Sequence, residues 1–163
     1  MAMEIERKFL VRAERLPVLE NGIYIEQAYI PTTNGTTVRI RLAGELAFLT
    51  IKTKASGFSR REYEYQIPVA DAQEILQEAC PIGHIEKRRY LIPQDALVWE
   101  IDIFGGDNEG LIVAELELES EQQEVELPDW IDREVTLDPR FSNFSLSRVP
   151  YKSWPLQEAQ AGQ

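Results

Sequence analysis

Apolar and polar residues alternate one for one through most of this chain, the period of an extended strand whose two faces differ. The first such run covers 3–12, where Ile5, Phe9 and Val11 are apolar and Glu4, Glu6 and Lys8 share the opposite face. Further strands are predicted over 23–30, 37–42 and 47–54, set apart by the turn signals Asn34-Gly35 and Gly44-Glu45. Runs at 60–69, 85–92, 97–104 and 111–118 complete a set of eight, with 105–110 as a loose hairpin loop. The period changes once. Ala72, Ile75, Leu76 and Ala79 fall at helical spacing, with Asp71 as the expected N-cap and Pro81 and Gly83 as the stop. Residues 14–22 read as a turn or short helical segment, and from Pro128 onward Pro139, Pro150 and Pro155 cut the chain into short pieces.

Eight strands with mostly short connections predict an α+β, mainly β, fold: an antiparallel eight-stranded barrel with a few covering helices, because closure removes exposed strand edges. Residues 1–154 form one domain on this reading, and 155–163 a frayed tail. Trp99, with Ile101 and Ile103, is expected to pack between the barrel and those helices, and Trp130 and Trp154 at the surface. A length of 163 residues suffices for a sizeable core without disulfides. The net charge of -11 argues against a nucleic-acid partner. The single cysteine, Cys80, cannot form an internal bridge, which points to a reducing cytoplasm. No apolar run is long enough to span a membrane, and the first residues are charged rather than signal-like.

The polar faces carry the chemistry. On an ordinary solvated sheet they would mix Thr, Ser, Gln, Lys and Glu freely. Here they come in pairs of one sign. Acids pair at 4/6, 62/64 and 100/102 and run through 115/117/119, while bases pair at 39/41, 52/54 and 87/89. Like charges two residues apart on one face repel, so each pair makes sense opposite something of the other sign. Carboxylate pairs suit a divalent cation, and Arg and Lys pairs suit phosphate oxygens. Together they suit a metal–polyphosphate complex.

The opening Glu4-Ile5-Glu6-Arg7-Lys8-Phe9 resembles the ExExK signature of CYTH-domain proteins, the triphosphate tunnel metalloenzymes. The resemblance continues, in order, through Gln27-Ala28-Tyr29, Val38-Arg39-Ile40-Arg41, Thr50-Ile51-Lys52-Thr53-Lys54 and Arg61-Glu62-Tyr63-Glu64-Tyr65. It extends through Glu86-Lys87-Arg88-Arg89-Tyr90, Trp99-Glu100-Ile101-Asp102 and the run from Ala114 to Glu119. It implies an eight-stranded antiparallel tunnel, dependence on a divalent metal and a triphosphate substrate.

Carried over residue by residue, the resemblance implies that Glu4, Glu6, Glu117 and Glu119 hold the metal bridging the triphosphate. Asp102, with Glu62 or Glu64, would place a second. All-oxygen ligation and the absence of a Cys/His cluster point to Mg²⁺ or Mn²⁺ rather than zinc. Lys8, Arg39, Arg41, Lys52, Lys54, Lys87 and Arg89 would neutralise phosphate oxygens. Lys87 and Tyr29 would orient the nucleophile or assist proton transfer. Lys152 stands where the family often places a lysine on a C-terminal plug helix, although Ser153 replaces the Asn that often follows it. An all-charged tunnel has little provision for an organic head group, so inorganic triphosphate, split to diphosphate and phosphate, is the leading substrate. The alternatives are a nucleoside or thiamine triphosphatase, then a class IV adenylate cyclase, then a non-catalytic polyphosphate- or nucleotide-binding module. The oligomeric state, including a homodimer, stays open.

Overall fold

A computed structural model of the chain describes residues 2–155, apart from 55, 58 and 82; nearly all of the expected tail, 155–163, therefore lies outside the described residues. The strands are β1 (Ala2–Val11), β2 (Ile23–Ile30), β3 (Thr37–Ala43), β4 (Leu46–Lys52), β5 (Ser59–Ile67), β6 (Ile85–Gln94), β7 (Leu97–Phe104), β8 (Ile112–Glu117) and β9 (Ile131–Glu134). Two α-helices join them, α1 (Val69–Glu78) and α2 (Asn143–Arg148).

The first eight strands pair antiparallel in the order β5-β4-β3-β2-β6-β7-β8-β1, and β1 pairs back to β5 to close the barrel. Strand β1 closes it by dividing its edges. One edge pairs with β8 from Glu6 to Leu10; the other pairs with β5 from Ala2 to Ile5 and then with β9 at Phe9 and Val11. Where β5 has left and β9 has not yet joined, the Lys8 amide donates to the Thr136 hydroxyl at 3.0 Å. Strand β9 was not anticipated. Its four residues are too few for alternation to show, and it is secured by a forked Arg7–Glu134 pair at 2.9 and 2.7 Å.

The barrel wall is apolar outside and, along most of its bore, polar inside; two apolar clusters lie on the outer walls and a third closes one end of the bore. On one outer wall Phe9, Trp99, Ile101, Ala114 and Leu116 are covered by Trp130 and Ile131. Trp99 therefore packs edge-on against Phe9 and Trp130, contributed by a strand and a loop rather than a covering helix. On the other wall Ala28, Ile40 and Ala47 are covered by Ala72, Leu76 and Cys80 of α1 and its C-terminal end. Helix α1 starts at Val69 behind Pro68, whose carbonyl accepts the Ala72 amide. Asp71, expected as the cap, instead lies in the first turn, where its charge still favours the helix dipole. The third cluster is internal. Leu10, Ile85, Phe104 and Val113, on the same faces as the charged residues, meet Phe141, Leu146 and Trp154 and seal one end of the barrel. Among the described residues no helix is long and apolar enough to cross a membrane.

Candidate active site

Two chambers share the barrel interior. The one next to the plug, about 220 Å³, is lined by seven basic side chains, Lys8, Arg39, Arg41, Lys52, Arg60, Lys87 and Arg89, and by Tyr29 and Asn143. The other holds Glu4, Glu62, Glu64, Glu100 and Glu117 and shares Glu6, Glu115, Arg39, Arg41, Lys52 and Arg89 with the first. Cross-strand register builds this arrangement: Arg39 and Arg41 of β3 stand opposite Tyr29 and Gln27 of β2, and Arg89 of β6 opposite Asp102 of β7. A larger groove of about 400 Å³ shares no residue with either chamber, and its Arg12 and Asp132 are paired with each other at 3.3 Å.

At the plug end Lys87 and Asp102 are enclosed and Arg89 is nearly so. Asp102 accepts from Arg89 Nε and an Arg89 terminal nitrogen at 2.7 and 2.9 Å, and its Oδ2 lies 2.7 Å from Lys87 Nζ. Burial alone would raise the Asp102 pKa, but Lys87 and Arg89 outweigh it and hold it below the ordinary value. Because Arg89 already neutralises Asp102 through a bidentate fork, Lys87 is the surplus cation of the trio. Its side chain is 0% exposed. Burial, with Arg89 and Arg41 nearby, lowers its pKa to about 7 in spite of Asp102. Lys87 Nζ also donates to Asn143 Oδ1 of α2 at 3.0 Å, which ties the plug to the site.

Midway along, Lys8 lies 3.6 Å from Glu115 and donates to the Phe141 carbonyl at 3.0 Å. Burial would raise the Glu115 pKa; Lys8, Arg89 and Lys87 overcome it and hold the carboxyl strongly ionised. Arg41 is lowered to about 10 by burial and then by Arg39 and Arg89. Arg39 donates to the Thr50 hydroxyl at 3.1 Å, yet its Nε is buried with no hydrogen-bond partner. That is a donor left open beside the chamber.

At the acidic end Glu4 Oε1 accepts from Lys52 at 2.9 Å, while Glu4 Oε2 is buried without a hydrogen bond, 3.5 Å from Arg60 Nε. Glu6 is pushed up to about 8 by burial and then by Glu115 and Glu4. Among the described residues no three carboxylates, histidines or cysteines already converge to cage an ion. The donor chemistry nonetheless fits a hard divalent cation: oxygen ligands only, one buried carboxylate oxygen with no hydrogen bond and only a 3.5 Å ion pair to Arg60, and one carboxyl whose charge is disfavoured until a cation joins it.

Sequence reasoning placed most of these side chains correctly on the inner face, but not all. Lys54 and Glu119 lie beyond the ends of β4 and β8, exposed, and line neither chamber. Lys152 is 59% exposed in a 3-10 turn, 4.0 Å from Glu109 of the β7–β8 connection, and also lines neither chamber. From the plug, Asn143 at the start of α2 reaches Lys87, and Ser142 and Phe144 beside it also line the basic chamber. Asp102 lies within the barrel, but both its oxygens are taken by cations of the chain itself. Five participants carried no assigned role: Gln27, Arg60, Glu100, Glu115 and Asn143. Strand parity with Glu117 was the signal available for Glu115, and parity with Glu62 for Arg60; Asn143, in an irregular segment, offered none.

Comparison with known proteins agrees with this geometry. The CYTH domain family model matches residues 2–150. The chain is 44% identical over 154 residues to an inorganic triphosphatase of Acetivibrio thermocellus, covering 94% of this chain and 99% of that protein. It is 38% identical over 150 residues to an inorganic triphosphatase of Nitrosomonas europaea, covering 88% and 96%. The crystal structure of an inorganic triphosphatase superposes with a TM-score of 0.64 at 35% identity, covering 93% of this chain and 99% of that one. A closed barrel with its charges turned inward, and a family match over nearly the whole chain, make this protein a member of the CYTH-domain family.

Proposed function

We propose that the protein hydrolyses inorganic triphosphate to diphosphate and phosphate with the help of a divalent cation. The observation that carries this reading is the enclosed chamber walled by seven basic side chains and continuous with a carboxylate-lined one. The two relatives, each an inorganic triphosphatase, support it. The chamber also gives little purchase to a nucleobase: its two rings, Tyr29 and Phe144, are spent on an edge-to-face contact with each other.

Glu4, Glu6, Glu62, Glu64 and Glu117 are the residues that would hold Mg²⁺ or Mn²⁺, which when bound neutralises phosphate oxygens as a Lewis acid. Lys8, Arg39, Arg41, Lys52 and Arg89 grip the remaining oxygens, with the open Arg39 Nε among the donors. Lys87 is poised for proton transfer because its pKa near 7 lets it exist without a proton at neutral pH. As a water oxygen bonds to the terminal phosphorus and the bridging P–O bond breaks, Lys87 takes the proton that the water releases. Tyr29 holds the water or a terminal oxygen in line. The free, buried Cys80 suits a reducing cytoplasm as the place where this happens.

The test is a substrate screen of the purified protein against triphosphate, thiamine triphosphate, ATP and diphosphate, each with Mg²⁺ or Mn²⁺, scoring phosphate and cyclic AMP. Inorganic triphosphate should have the highest kcat/KM. A higher value for ATP or thiamine triphosphate, or cyclic AMP formation, overturns the assignment.

A further inference from the structure

Gln27 is fully buried inside the barrel wall and bonded on both sides. Its Oε1 accepts from Arg41 Nε at 2.7 Å, and its Nε2 donates to the Tyr29 hydroxyl oxygen at 3.0 Å. The direction of these bonds is forced by chemistry. A guanidinium can only donate, so the amide must turn its oxygen to Arg41 and therefore its NH₂ to Tyr29. The phenol oxygen then accepts, and its own hydrogen must go elsewhere. Among the described residues that hydroxyl donates no hydrogen bond, and Tyr29 lines the basic chamber.

We propose that Gln27 is a positioning residue that fixes Tyr29 as a hydrogen-bond donor into the chamber, with Arg41 fixing Gln27 in turn. The relay follows the register: Gln27 and Tyr29 share a face of β2, and Arg41 is the direct cross-strand partner of Gln27. Two consequences follow. Tyr29 acts on a phosphate or water oxygen by donating, which leaves proton acceptance to Lys87. Arg41, held through its Nε, presents only its terminal nitrogens to the substrate, so one amide sets the orientation of two neighbouring donors.

The inference rests on the triphosphatase reading, and its test separates the two. In Gln27→Glu the carboxylate still accepts from Arg41 but also accepts from Tyr29, drawing the phenol hydrogen away from the chamber. Triphosphate turnover by Gln27→Glu should fall by about tenfold or more, the worth of one lost hydrogen bond, with KM changed less than about threefold. Tyr29→Phe should lose a similar factor, and the double variant should lose no more than either alone. Wild-type kcat in Gln27→Glu, or additive losses in the double variant, overturns the relay. A spectroscopic arm needs no activity. In ultraviolet resonance Raman spectra, the Tyr29 contribution, taken as the difference from Tyr29→Phe, should change from a phenol that accepts from Gln27 while donating into the chamber in the wild type to one that accepts nothing and donates to a carboxylate in Gln27→Glu. An unchanged signature also overturns the proposal. A changed signature without triphosphate turnover by the wild type would leave the relay standing and sink the triphosphatase reading instead.

Discussion

Lys87, buried, and Arg41, half-buried, are cations of one chamber, yet their surroundings give them different work. Arg41 keeps its charge across the neutral range, and on the proposed reading it would grip oxygens that are anionic in ground and transition states alike. Lys87, with a pKa near 7, can change its charge during the reaction. Interactions equal in both states set KM, whereas those made chiefly in the transition state set kcat. Steady-state kinetics should therefore show Arg41→Ala raising KM for triphosphate. Lys87→Ala should cut kcat by on the order of a hundredfold, about 3 kcal/mol, with a smaller change in KM. Wild-type kcat in Lys87→Ala would make Lys87 a binding residue. Glu6 yields a pH prediction. It holds its proton to about pH 8 when folded, against 4.5 for the ordinary carboxyl, so the folded state binds more protons between these values. Metal-free stability should fall as pH rises through that window. Glu6→Gln should raise Tm without metal by roughly 3–6 °C at pH 8, after discounting for the partial exposure of Glu6, and by almost nothing at pH 4.5. Thermal melts at the two pH values in chelator check this; equal shifts at both would refute it.

Among the elements, the plug is the part whose placement matters most. Helix α2 is only six residues long, capped by the Ser142 hydroxyl accepting from the Ser145 amide, and too short to be stable alone. It is held by Phe141, Leu146 and Trp154 in the sealed end, by the Asn143–Lys87 bond, and by close approach of the α1–β6 connection. Gly83 in that connection has φ +44°, and a Cβ there would stand 1.7 Å from the Ser147 carbonyl oxygen. Gly83→Ala combines a left-handed backbone with a clash against main chain, a cost of roughly 2–4 kcal/mol. Circular dichroism melts should show Tm lowered by about 5–10 °C. Because α2 must shift away from Lys87, kcat should drop as well. An alanine variant with unchanged Tm would mean that the connection can move aside freely.

At the scale of the whole molecule, the barrel spends its interior on charge and its exterior on packing. The three apolar clusters must supply the stability that the interior withholds. A ligand that meets the inward charges should then stabilise the fold by mass action. At about a hundredfold excess over its Kd this amounts to roughly 2.7 kcal/mol, or about 5–10 °C in Tm. Triphosphate with Mg²⁺ should produce that shift, and chelator should abolish both the extra shift and turnover. Full turnover after exhaustive chelation would remove the metal from the mechanism.

Strand parity was legible in the residues because it is local: a side chain two positions from Glu4 faces the same way whatever the remainder of the chain does. The charge pairs at 4/6, 39/41 and 62/64 therefore disclosed an inward polar surface, and the ordered motifs around them disclosed the family. Depth along the barrel is not local. It depends on the register between strands remote in sequence, such as Glu6 opposite Glu117 and Arg89 opposite Asp102, and on the split pairing of β1 that closes the sheet. That register left Lys54 and Glu119 beyond the strand ends, spent Asp102 on Lys87 and Arg89, and set Glu115 beside Lys8. The plug is decided in the same way, since α2 has too few residues to show a period and is specified by what it covers. The alternation of residue types determined which side chains share the interior; only the closed barrel decided which of them meet there, because partnership is set by distance in space and not by spacing along the chain.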